Sequence, residues 1–154
     1  MLALCVMDDA PVQVVATIVV SAGVIIEGGR VLLTQRKAGA HLEGAWEFPG
    51  GKVHDGEDPR QALRRELREE LGLDVAVGEI VEVTFHRYEE EKKSVLLLFF
   101  EAARLAGSPE PRALDVAAFE WAAAEGLEPA RFPPADVAVL SKVRQALYRG
   151  TRMR

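Results

Sequence analysis

The residues best placed to do chemistry lie between Gly50 and Leu73, in the stretch GGKVHDGEDPRQALRRELREELGL. Glu66, Glu69 and Glu70 fall within two turns of a helix, and residues three or four apart share a helical face. Like charges at that spacing repel, so the cluster opposes folding unless something compensates it. Closely set carboxylate oxygens are the donor set of hard dications such as Mg²⁺, whose remaining positions go to water and phosphate. A dication held there could neutralise phosphate oxygens and acidify a water, which is what hydrolysis of a phosphoanhydride requires. The competing reading is a solvated helix face laced by Arg64, Arg65 and Arg68 at helical spacing. The Pro49-Gly50-Gly51 corner just ahead of the helix favours the chemical reading.

These side chains must be positioned by a helix from about Pro59 to Leu71. Asp58 caps its first turn, Pro59 suits its first position, Gln61 can complete a capping box, and Gly72 ends it. Leu63, Leu67 and Leu71 form the inward stripe beside the carboxylates. In WEFPGG, Pro49 restricts the backbone and the glycines permit a turn that a ligand can approach closely. A strand from about Thr17 to Ile26, the turn EGGR and VLLTQR read as a hairpin. VGEIVEVTFHRY and SVLLLFFEAA around EEEKK read as a second, and VAAFEWAA as a later strand. The sheet is therefore expected to be mixed or partly antiparallel. FPPAD opens a last helix whose inward positions are Val137, Leu140, Val143 and Leu147.

With 154 residues, 49% of them hydrophobic and 28% charged, the chain predicts one domain with a sizeable core. Its expected limits are 13–150, with an arm at 1–12 and a tail at 151–154. A net charge of −5 and the absence of a basic block argue against a duplex nucleic-acid partner, while leaving room for a small phosphorylated one. Cys5 is the sole cysteine, which excludes an internal disulfide and a Cys-based zinc site. The amino terminus lacks the basic start of a secretory signal, and VQVVATIVVSAGVII is too short and too interrupted to span a membrane. A cytoplasmic location is expected; the oligomeric state is not legible.

Gly51, five residues, Glu57, seven residues, Arg65-Glu66-Leu67, one residue, Glu69-Glu70, one residue, Gly72-Leu73: this array resembles the Nudix box at every specified position. The flanking WEFPGGK, the strands and FPPAD extend the resemblance to the MutT-type branch. It implies an α/β (α+β) αβα sandwich around a mixed sheet. The implied reaction is hydrolysis of a nucleoside diphosphate linked to another moiety, with Mg²⁺ as cofactor and Mn²⁺ able to substitute. By the resemblance, Glu66, Glu69 and Glu70 are the principal metal ligands, with the Gly50 carbonyl and Glu57 in support. Arg65 orients the carboxylates, and the proton acceptor is Glu66 or Asp115. Arg36 approaches the nucleotide and Lys52 the phosphates.

Asp136 either caps the last helix or reads the base. Oxidised-guanine hydrolases of the MutT type carry Asn at that position, and ionised Asp only accepts hydrogen bonds, whereas Asn also donates. The resemblance to the MutT type, against that departure, makes hydrolysis of 8-oxo-dGTP or dGTP to the monophosphate and pyrophosphate the expected activity. The alternatives are a CTP or pyrimidine-nucleotide pyrophosphohydrolase, an RNA 5′-end pyrophosphohydrolase and a nucleotide-binding regulator without turnover. His41, His54 and His86 lack metal-ligand spacing, and Trp46, Phe48 and Trp121 are expected in the core.

Overall fold

A computed structural model describes residues 16–152; the expected arm at 1–12, with Cys5, lies outside them. Strand β1 (Thr17–Glu27) is the spine of the sheet. It runs parallel to β6 (Lys93–Arg104), in register from Thr17↔Ser94 to Ile25↔Ala102. It is antiparallel to β2 (Arg30–Gln35) and to the short β4 (Gly50–Lys52). The hairpin between β1 and β2 closes on Gly28 and Gly29, whose φ of 56° and 75° suit a turn that demands positive φ at both central residues. Strand β5 (Val75–Tyr88) forms one edge beside β6, while β3 (Trp46–Glu47) and β7 (Ala118–Ala122) pair with β2. The sheet is mixed, as expected.

Side-chain alternation along β1 sends Ala22 and Val24 to one face and Ile25 to the other. Helix α1 (Pro59–Leu71) covers the second face, where Leu63, Leu67 and Leu71 join Ile25, Leu32 and Phe100 in one buried cluster. Helix α2 (Val137–Arg152) covers the first, where Val139, Leu140, Val143 and Leu147 join Val24, Leu33, Phe48 and Phe99 in a separate cluster. The result is an αβα sandwich. No helix among the described residues is long and apolar enough to cross a membrane.

Helix α1 has the expected limits because both ends are capped locally. The Asp58 carboxylate accepts from the N–H groups of Arg60 and Gln61, and Gly72, at φ 69°, donates to the Arg68 carbonyl. Gln61 takes part in that cap through its backbone N–H.

Four expectations need correction. The diglycine is extended rather than turned, because β4 pairs with β1 through Ser21↔Gly51 and Ala22↔Gly50. Val137 is 41% exposed and Val139 is buried in its place, because the 3-10 turn Pro134–Asp136 resets the phase of α2. Asp136 precedes α2, but its carboxyl is buried and accepts from the Phe48 N–H. Helix α2 continues through Arg152, into the stretch expected to be a tail.

Candidate active site

Arg65 lies at the centre of the carboxylate cluster. Its Nε and Nη2 donate to both oxygens of Glu57 at 2.8 and 2.9 Å, in a bidentate fork. Nη1 reaches Glu66 Oε1 at 2.8 Å and Glu69 Oε2 at 3.3 Å, while Nη2 also bonds the Lys52 carbonyl at 2.9 Å. This guanidinium, followed by the His54 N–H, holds the Glu57 carboxyl down at about 2. One planar cation thus ties the loop before α1, through Glu57 and the Lys52 carbonyl, to two helix carboxylates, Glu66 and Glu69. A Lys ammonium cannot reproduce that fork. Arg65→Lys is therefore expected to lower turnover by about tenfold or more and to raise the metal concentration giving half-maximal rate. A metal titration of the purified variant checks this.

Close approach at the diglycine is to the chain itself. A Cβ on Gly51 would lie 2.3 Å from Glu66 Cδ, so Glu66 packs directly over a bare backbone. One on Gly50 would lie 2.0 Å from the Ser21 carbonyl oxygen, because β4 abuts β1. The Gly50 N–H donates to Glu70. Glu66 and Glu70 therefore converge on β4 from the same helix.

Glu70 faces a cavity of about 350 Å³. Burial, then the nearby charges of Glu66, Glu47 and Asp115, push its carboxyl up to about 8. Arg36, Lys52 and Asp115 line the same cavity, and Asp136 lies within it beside Pro133 and Ala135. Arg36 bonds Glu47 at 2.8 Å and the His41 carbonyl. Asp115 is exposed and paired with Lys37. The Lys52 side chain is exposed at the rim. Burial first, then the charge of Glu47, raises Asp136 well above the usual carboxyl range.

Glu47, Tyr88 and His41 also line the cavity and were missed in the sequence. Burial raises Glu47 in turn, opposed by the charge of Arg36. Its signal was a carboxylate between two aromatic residues, Trp46 and Phe48, in a segment short of polar partners. Phe48 itself is core, stacked on Phe132 at 5.9 Å between centroids. Trp46 is half-buried beneath the Arg131 guanidinium, at 5.1 Å.

Among the described residues no three carboxylate or imidazole groups already stand as a metal cage. The donor set nevertheless fits a divalent ion. Glu70 is a largely buried carboxyl surrounded by like charges, and no cationic side chain lowers it. A dication of oxygen-seeking type would relieve that repulsion.

The NUDIX domain family matches residues 17–143. The 8-oxo-dGTP diphosphatase of Escherichia coli K12 is 35% identical over 77% of this chain and 89% of its own. The CTP pyrophosphohydrolase of the same organism is 39% identical over 79% and 87%. A MutT NUDIX hydrolase from Burkholderia pseudomallei superposes with a TM-score of 0.71 at 30% identity, covering 82% of this chain and 98% of that one. Hydrolases of this kind generally need a divalent metal. The clamped carboxylate helix, the sandwich that carries it and these likenesses agree: the chain belongs to the Nudix family and is a hydrolase of phosphoanhydride bonds.

Proposed function

We propose that the protein is a Mg²⁺-dependent nucleoside triphosphate pyrophosphohydrolase that cleaves 8-oxo-dGTP or dGTP to the monophosphate and pyrophosphate, a nucleotide-pool sanitising activity. The observation that carries this reading is the cavity itself, which is lined both by Glu70 and the diglycine and by Asp136 and Glu47. A triphosphate needs the first set of groups and a base the second.

Glu66, Glu69, Glu70 and the Gly50 carbonyl would hold the metal, with Glu57 and Arg65 in support. A bound dication supplies charge neutralisation for the anhydride and lowers the pKa of water. Glu66 takes the proton in this reading: Arg65 occupies its Oε1 only, whereas Asp115 is engaged by Lys37. Arg36 and Lys52, which line the same cavity, would present cationic groups to the nucleotide.

Asp136 is the buried carboxyl of that cavity, raised well above its ordinary range by burial first and then by the charge of Glu47, and is the group proposed to meet the edge of the base. The relatives at 35% and 39% identity act, by name, on 8-oxo-dGTP and CTP, so identity alone does not choose between them.

A panel of 8-oxo-dGTP, dGTP, CTP, dCTP and 5′-triphosphorylated RNA, read by pyrophosphate release with and without Mg²⁺, tests the assignment. Equal rates on oxidised guanine and unrelated nucleotides would overturn it. Asp136→Asn is expected to change the preference between guanine and pyrimidine nucleotides by about threefold or more in relative kcat/KM, because it replaces one carboxyl oxygen with an NH₂ donor. Asp136→Ala is expected to erase that preference by about tenfold or more, since it leaves the edge of the base unpaired.

A further inference from the structure

Two segments meet where β2 ends and β7 begins. The Ala117 N–H donates to the Gln35 carbonyl at 3.0 Å, which extends the ladder that pairs Gln35 with Ala118. The N–H groups of Leu114 and Asp115 donate to the Glu70 carbonyl at 2.9 and 3.2 Å, in the last turn of α1, where carbonyls lack helical partners. Asp115 is thereby fixed beside the helix end that carries Glu70. Lys37, two residues past Gln35, bonds Asp115 Oδ1 through Nζ. Both side chains line the cavity that Glu70 faces.

This ion pair is not needed to hold the segments together. Its side chains are 55% and 61% exposed, and exposed pairs of this kind add little to stability. The backbone bonds on either side already fix the join. An ammonium has three N–H donors; one meets Asp115 and, among the described residues, no acceptor takes the other two.

Other cations of the cavity are placed differently. Arg36 is committed to Glu47 and the His41 carbonyl, and Lys93 lies over the Tyr88 ring at 5.6 Å. Among the described residues no carboxylate orients Lys52. Lys37 is thus a positive charge held in place with two donors to spare. The pair lies on the side of Glu70 rather than of Asp136: Asp115 is among the charges that raise Glu70, whereas those acting on Asp136 are Glu47 and Arg36.

We propose that Lys37 binds the polyphosphate of the substrate and that Asp115 positions it. The inference rests on the reading that the cavity takes a nucleoside triphosphate, and adds a group that tells this substrate from its monophosphate product. One N–H stays on Asp115 while the other two go to phosphate oxygens, so neither residue has to leave its place when the nucleotide enters. An ammonium acts as a point charge. It therefore counts phosphates and is indifferent to the base.

Binding of the α,β-imido analogues of dGTP and dCTP, and of dGMP, to the full chain with Mg²⁺ present tests this. Lys37→Met is expected to weaken both triphosphate analogues by about tenfold or more and dGMP by about threefold or less, because it removes charge-assisted bonds that only the longer phosphate chain makes. Retained dGMP binding shows that the variant is folded. Lys37→Arg should stay within about threefold of the wild type on all three ligands, since a cationic donor persists. Lys142→Met removes an exposed lysine that pairs with Glu82 away from the cavity, and should change none of them. Triphosphate binding unchanged in Lys37→Met overturns the proposal. So does an equal loss on dGMP, which would make the pair a structural staple. A wild type that holds the dCTP analogue as tightly as the dGTP analogue removes the base preference proposed above, while the role of Lys37 still stands or falls on its own variant.

Discussion

Glu70→Gln is expected to lower turnover by at least about a hundredfold while leaving the fold intact, because it removes an anionic metal ligand at nearly constant shape. The same substitution should change stability in the opposite sense when no metal is present. In the folded, metal-free protein, burial and like charges raise this carboxyl from 4.5 to about 8. The folded state therefore keeps a proton that the unfolded chain has already released, and stability falls as pH rises between those two values. The loss is on the order of a few kcal/mol at most by linkage. Glu70→Gln should flatten that slope and make the metal-free protein more stable at pH 8 than the wild type. Mg²⁺ should stabilise the wild type at pH 8 and stabilise the variant much less. Thermal unfolding with and without Mg²⁺ across this range, beside turnover, checks both halves. A slope unchanged by the substitution would remove Glu70 from its assigned position in the cluster.

Adding one methyl group to the diglycine should separate fold from chemistry. Gly50→Ala places its Cβ against the β1 backbone at the Ser21 carbonyl and Ala22 Cα. Neither group can rotate away, so β4 must leave the sheet or β1 must shift. A destabilisation of about 3 kcal/mol or more is expected, read by denaturant unfolding. Gly51→Ala instead meets only the end of the Glu66 side chain, with its Cδ at 2.3 Å and Oε2 at 2.4 Å. That side chain can move, so stability should change by about 1 kcal/mol or less, while displacing the carboxylate should lower turnover by about a hundredfold. Equal damage to turnover and stability in both variants would count against a special position for Glu66 above Gly51.

Helix α1 was legible residue by residue because its signals are local. Asp58, Pro59 and Gly72 each act on neighbours within one turn, and the Leu63–Leu67–Leu71 stripe needs only a helical period. The arrangement of the carboxylates was legible for the same reason: Arg65 reaches Glu57 on one side and Glu69 on the other, as the spacing allows. The extended diglycine was not. Two glycines after proline look like a turn locally, and the pairing that straightens them comes from Ser21 and Ala22, nearly thirty positions away. Glu47 was missed because its burial depends on Arg36 and on the walls of a cavity assembled from distant segments. The phase of α2 was misjudged by a 3-10 turn that no period in the sequence announces.

The two buried clusters on opposite sides of the sheet share few structural obligations. The carboxylates proposed to hold the metal hang from α1, and the carboxyl proposed to meet the base stands at the head of α2. Repacking beneath one helix need not disturb the other. Such a scaffold can exchange one nucleobase for another by drift in a single layer while its hydrolytic apparatus stays constant, and directed evolution toward a new nucleotide should concentrate its changes around α2 and the loop from Arg36 to Ala45.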